Sequence, residues 1–182
     1  MKYLITLFLL LPFSAYNQVG VSHSGRELGL NLGHAFDNAF QDDFSNGGFI
    51  RSAINYYQSN GHLQYGLTIE GGTNSNDYWY LSPGAILNYK FSLTRTYFYV
   101  GIMAGYICSD DILKSQLLIQ NITQGYVFGV HGGFVQPLSN RISLTSELAV
   151  RSTQVWTSYK EYPTESNIVI YFPITFGFRY SF

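Results

Sequence analysis

Four histidines, His23, His34, His62 and His131, are the side chains best suited to moving a proton near neutral pH. His34 is followed by Asp37 and Ser45, with Asp77 further along. A serine, a histidine and an acid are the parts of an acyl-transfer site. Such a site needs the nucleophile in hydrogen-bond reach of its base, and the base held by the acid. Loose loop spacings do not secure that arrangement. The acidic pairs Asp42-Asp43 and Asp110-Asp111 offer oxygen ligands for a divalent cation, but neither has a calcium-loop spacing. Gly129 to Gly133 is not followed by a helical pattern, so it does not read as a phosphate cradle. From spacing alone the chain has no catalytic, cofactor-binding or metal set.

The remaining charges follow a stricter rule. Alternation of apolar and polar residues predicts strands at 27–36, 49–58, 62–71, 78–91, 96–107, 125–136, 141–151 and 166–182. Eight charged residues fall inside these segments: Glu27, Arg51, Glu70, Lys90, Arg141, Glu147, Arg151 and Arg179. All lie on the parity opposite the apolar one, and His131 shares it. The rest of that parity is mostly Gly, Asn, Ser, Thr and Tyr, as at Gly29, Asn31, Asn55 and Thr68. A water-facing surface would instead carry scattered Lys and Glu. Small polar groups around a few charges suit a narrow lumen, and the nine ionisable residues are expected to form a network inside it.

Composition agrees. Only 12% of the 182 residues are charged, while 18% are aromatic, with 16 Tyr, 14 Phe and 2 Trp. That excludes a disordered chain. A net charge of −1 excludes a nucleic-acid binder working by broad electrostatics. Residues 1–17 read as a signal peptide, with Lys2, an apolar run and then small residues, cleaved between Ala15 and Gln18. The barrel would then occupy 18–182. Cys108 is the only cysteine, so no disulfide framework exists. Beyond residue 18 no apolar run reaches helical spanning length, which leaves a soluble domain or a closed membrane barrel.

The connections decide between them. Gaps at 59–61, 92–95 and 137–140 are short, and those at 37–48, 72–77, 108–124 and 152–165 are mostly long and polar. Aromatics of the apolar parity gather near the short turns: Tyr56, Tyr65, Tyr89, Phe91, Phe98, Phe134, Tyr180 and Phe182. Such a girdle, short turns on one side and long loops on the other describe an all-β, eight-stranded antiparallel up-and-down transmembrane β-barrel. Asn60-Gly61 reads as a two-residue hairpin turn. It would set Arg51 directly opposite Glu70, Tyr56 opposite Tyr65 and Ile54 opposite Leu67. A three-residue turn at 138–140 would likewise set His131 opposite Glu147. Loop residues Tyr78, Trp79, Trp156, Tyr159 and Tyr162 suit either surface contacts or girdle packing.

The C-terminal stretch from Ile174 to Phe182 ends on Phe, with an aromatic at every second position. It resembles the terminal recognition strand of bacterial outer-membrane proteins. The segment Gly132 to Thr145 resembles the sixth-to-seventh-strand hairpin of the small outer-membrane β-barrel family, which includes the barrels of outer membrane proteins A and X. The Tyr, Asn and Gly content resembles Bacteroidota members. The resemblance implies outer-membrane localisation and monomers without nucleic acid. It also implies outer-membrane lipid and lipopolysaccharide as partners. Gly177, Phe178, Tyr180 and Phe182 would be the signal read by the barrel-assembly machinery. It implies no cofactor and, foremost, a non-enzymatic role in envelope structure or surface interaction. A small-solute pore is disfavoured by the filled lumen. Some such barrels modify lipid A by acyl transfer or deacylation, which is the alternative that His34, Asp37, Ser45 and Asp77 raise. The His-containing Ser-Asn motif of the deacylases is absent, since Ser45-Asn46-Gly47 follows Phe44.

Overall fold

A computed structural model describes residues 24–37, 49–73, 78–93, 96–111, 122–158 and 165–182. The proposed signal peptide, Ser45, Asp77 and the Asp42-Asp43 pair lie outside them. Eight strands form: β1 (Ser24–Asp37), β2 (Phe49–Asn60), β3 (Leu63–Thr73), β4 (Tyr78–Leu93), β5 (Thr96–Asp111), β6 (Ile122–Pro137), β7 (Ile142–Ser158) and β8 (Glu165–Ser181). Each pairs antiparallel with the next and β8 closes onto β1, giving a closed eight-stranded barrel. Closure leaves no sheet edge, so every strand finds two partners.

Every expected strand is present, but most run further at the end carrying the long connections. β5 continues to Asp111 and β7 to Ser158. Residues such as Ser109, Thr153, Gln154 and Thr157 are polar on both parities, so alternation fades there. Backbone pairing does not depend on side-chain polarity, and the ladder continues without it.

Faces follow parity. The outward side of every strand is apolar and exposed, from Leu28, Leu30 and Leu32 on β1 to Phe176, Phe178 and Tyr180 on β8. The inward side holds the charges, and it is not uniformly polar. Tyr57, Tyr80, Tyr97, Tyr99 and Tyr171 point inward and are buried, as are Ile86, Met103, Ile107, Val127 and Val135. Strands β5 and β6 are therefore apolar on both faces for part of their length.

Two registers differ from the sequence reading, and in the same way. In the β2–β3 hairpin Asn60 pairs with Leu63, leaving Gly61-His62 as the turn. Gly61 has φ 60°, the conformation that type II′ hairpins demand at their first central residue. In the β6–β7 hairpin Leu138 N donates to the Ile142 carbonyl at 2.8 Å, so the turn is centred on 139–141. Ser139 Oγ accepts from Ile142 N at 3.0 Å and from Arg141 N at 3.3 Å, holding that turn. Each turn sits one residue later than expected, which shifts pairing by two residues and leaves the faces intact.

Steric fit inside the barrel favours the observed registers. Arg51 lies between Gly33 and Gly72, Tyr57 opposite Gly66, and His131 opposite Gly101. Tyr99 and Glu147 flank Gly133, and Arg151 faces Gly129. A Cβ on Gly133 would lie 2.7 Å from the Tyr99 hydroxyl, and one on Gly129 only 2.8 Å from Arg151 Nη1. A narrow lumen accepts large side chains only where the neighbouring strand offers none.

Candidate functional site

The ion pairs between described residues all lie in the lumen. The half toward the long connections is built on Arg51 and Glu70, whose side chains form an ion pair and are 3% and 0% exposed. They are not directly opposed: Glu70 faces Ala53 and Arg51 faces Gly72. The pair is diagonal, within the roughly 7–8 Å that long side chains bridge between strands. Tyr80 OH donates to the other Glu70 oxygen at 3.0 Å. Tyr80 also packs with Ala35, Ile107 and Tyr171, an apolar cluster across this half of the lumen.

At mid-height Glu147 accepts from Tyr99 OH at 2.9 Å and pairs with Arg151 at 3.6 Å. His131 is opposite Ala149 rather than Glu147, because of the displaced turn. Its Nε2 lies 2.6 Å from Asn88 Oδ1, and Asn88 Nδ2 donates to Gln64 Oε1 at 3.0 Å.

Below this, Arg179 is the hub. Its Nη1 reaches Tyr97 OH at 3.1 Å, Gln64 Oε1 at 3.2 Å and Glu27 Oε2 at 3.3 Å. Its guanidinium carbon stands 4.2 Å from the Tyr57 ring centroid and 4.9 Å from that of Tyr99. A delocalised cation between two aromatic faces gains from both. Lys90 Nζ lies 5.4 Å from the Tyr97 ring centroid. Glu27, 16% exposed, closes the network at the short-turn mouth.

Eight of the nine expected network residues therefore face the lumen. Arg141 does not. It belongs to the 138–141 turn, is exposed, and donates through Nη1 to Tyr180 OH at 3.3 Å on the outward side. Turn residues are not bound by strand alternation, which is why parity misplaced it. Sequence reasoning put tyrosines on the lumen parity but did not single out Tyr80, Tyr97, Tyr99 or Gln64 as the groups that tie the ion pairs together. Tyr57, Tyr80 and Tyr99 face Gly66, Gly72 and Gly133, a signal legible only once the register is known, whereas Tyr97, Tyr171 and Gln64 face no glycine.

No nucleophile and base are brought together among the described residues. His34 lies on the outward face of β1 between Ile50 and Ile174. Cys108 Sγ lies 3.5 Å from the Leu81 carbonyl oxygen. No group of three or more His, Cys, Asp or Glu among the described residues is placed to hold a metal ion.

The outward aromatics form two belts. At the short-turn end Tyr89 packs edge-on to Phe91 at 4.9 Å, and Phe98 lies 6.3 Å from Phe134. At the other end Tyr126 contacts Tyr106 at 6.1 Å and Trp156 at 5.4 Å, with Trp79 also exposed. Trp79 is thus a residue of β4, within the strand expected at 78–91, and Trp156, expected in the 152–165 connection, is a residue of β7.

With this geometry, solved structures provide the comparison. The chain matches the Neisserial surface protein A crystal structure with a TM-score of 0.70 at 15% identity, over 87% of this chain and 98% of that one. It has the fold of a small outer-membrane β-barrel. Outer membrane protein AlkL in lipid bilayers matches with a TM-score of 0.59 at 15% identity, over 92% and 94%. OprG, an outer-membrane protein of Pseudomonas aeruginosa, matches at 0.58 and 11% identity, over 88% and 97%. No family model and no curated protein matches the chain.

Proposed function

We propose that this protein is an integral outer-membrane barrel, exported by a signal peptide at 1–17. On this reading it is monomeric, performs no catalysis, and serves envelope structure or surface interaction through its outer loops. The observation that carries the reading is the inversion of its faces. Large apolar side chains such as Leu32 (58% exposed), Leu67 (64%) and Leu148 (62%) point outward on three separate strands around the barrel. Arg179, Glu70 and Gln64 are meanwhile fully buried inside. Water would penalise that outward surface heavily, whereas hydrocarbon solvates it and the closed ladder satisfies the backbone. The two aromatic belts fit the two membrane–water boundaries. Buried side chains in the lumen support a structural core over a solute path.

The test is placement. Wild-type protein is expected in outer-membrane fractions, migrating differently on gels with and without heating. Protease on intact cells should cut within 38–48, 112–121 or 159–164 and spare Gly61-His62, because a short turn leaves little backbone to attack. Cleavage at Gly61 with all three long segments spared would invert the barrel. Lipid A unchanged in mass when the protein is absent is the outcome expected of a non-enzyme, and altered acyl chains would refute it.

Assembly gives a second expectation. Phe178 and Tyr180 point outward on the last strand, Phe182 is exposed just beyond it, and Gly177 sits against Asn31 of β1 at the closing seam. On the proposed reading these four residues form the assembly signal. Deleting Phe182 should sharply lower the heat-modifiable fraction in cells, and wild-type insertion efficiency would count against the signal.

A further inference from the structure

Charges at the strand ends are sorted by sign. Among the described residues, those outside the lumen at the short-turn end are Arg26 and Arg141, while the opposite strand ends carry Asp37, Asp110, Asp111 and Glu165. The two arginines bracket the end of β8. Phe182 N donates to the Arg26 carbonyl at 3.1 Å and Ser181 N to the Arg141 carbonyl at 2.8 Å. Strands lie about 4.8 Å apart, so the two backbones are separated by about 10 Å across β8. Two arginine side chains span that distance easily.

Both are exposed, and neither forms an ion pair with a described carboxylate. Arg141 is turned outward by its bond to Tyr180 OH. Arg26 lies on the outward parity of β1, two residues before Leu28. Between them Tyr180 and Phe182 stack at 6.4 Å, also facing outward. Ser139, Asn140, Arg141, Ile142 and Tyr180 line an open notch at this rim.

We propose that Arg26, Arg141 and Tyr180 form a site for the phosphodiester of an anionic phospholipid in the periplasmic leaflet. The inference rests on the membrane placement proposed above. Aromatic belts sit at headgroup depth, so the guanidinium groups stand at the level of the phosphates. Guanidinium matches phosphate with paired N–H donors, and the tyrosine hydroxyl supplies another polar contact. A headgroup with net negative charge gains from both arginines, whereas a zwitterionic one brings its own cation into the same space.

The experiment titrates the full-length barrel in detergent micelles with phosphatidylglycerol or phosphatidylcholine and counts retained lipid by native mass spectrometry. Wild type should retain phosphatidylglycerol preferentially. Each exposed arginine near anionic lipid contributes about fivefold, so Arg26→Gln/Arg141→Gln should weaken retention about thirtyfold. Tyr180→Phe should weaken it a few-fold. Heat-modifiable migration checks that each variant is folded. An unselective wild type, or a folded double variant that keeps its preference, overturns the site. If the double variant does not fold, Tyr180→Phe decides, and unchanged retention there overturns the site equally. Failure to fractionate with membranes would instead defeat the placement, whatever lipid is retained in micelles.

Discussion

Arg179→Ala should be among the most damaging single substitutions inside the barrel, costing on the order of 3–5 kcal/mol. Arg179 is 1% exposed and is the one cation that touches Glu27, Gln64 and Tyr97 through a single nitrogen. Truncation removes the ion pair, empties the space beside the Tyr57 and Tyr99 rings, and takes one donor each from Glu27, Gln64 and Tyr97, of which Gln64 Oε1 keeps only Asn88. Glu27 sits near the mouth and can take up water, so its own share of the loss is smaller. Arg179→Met separates the causes. It keeps most of the volume and removes the charge, so it should cost clearly less than alanine. Pairing it with Glu27→Gln should recover further stability, because the carboxylate that lost its guanidinium partner is then neutral. Urea unfolding in lipid vesicles, followed by heat-modifiable migration, measures all three. An Arg179→Ala barrel within about 1 kcal/mol of wild type would show that the hub is not structural.

Much of this interior was legible in the sequence because parity is a robust signal. A strand residue's face depends only on odd or even position, and a register error of two leaves it unchanged. Glu27, Arg51, Glu70, Lys90, His131, Glu147, Arg151 and Arg179 were therefore placed inside without any knowledge of pairing. Of their contacts, the Arg51–Glu70 ion pair was legible, but its register and the remaining contacts were not. Both hairpins turn one residue later than the strongest local turn signal suggests, and this moved Glu70 from Arg51 to Ala53 and Glu147 from His131 to Gly133. The deciding term is steric and non-local: Arg51 between two glycines, His131 against Gly101. A turn preference is worth little beside a clash inside a closed wall.

The roles of the inward tyrosines were hidden for a different reason. On β5 both parities are apolar or aromatic, with Tyr97, Tyr99 and Met103 inside and Phe98, Val100 and Ile102 outside. Alternation put the even positions outward, as observed, but says nothing of what the inward rings touch. The two faces keep different company, glycine and charge inside, other apolar groups outside, and that is knowable only from the neighbouring strands. Arg141 shows the converse limit, since a rule made for strands failed one residue into a turn. The same displacement put it on the outward rim, where its bond to Tyr180 belongs to the surface.

Arg51→Ala and Glu70→Ala should each destabilise the barrel by about 3–5 kcal/mol, and the double variant should cost less than their sum. Removing Arg51 leaves a fully buried carboxylate with only the Tyr80 hydroxyl to hold it. Removing Glu70 leaves a buried guanidinium without its anion. A positive coupling of about 1–3 kcal/mol is the range for residues in one buried network, and additivity would show that the pair is not acting as one. Because the contact is diagonal, the energetic cycle alone does not report the register, and a geometric test is needed beside it. Ile54 and Ile69 are directly opposed on the outward face, whereas Leu67 faces Tyr56. With Cys108→Ser as background, Ile54→Cys/Ile69→Cys should oxidise readily. Opposed strand positions fall within the 4.4–6.8 Å Cα separation a disulfide requires, which a pair offset by two residues reaches poorly. Rapid cross-linking of Ile54→Cys/Leu67→Cys instead would restore the Asn60-Gly61 turn and put Arg51 directly across from Glu70.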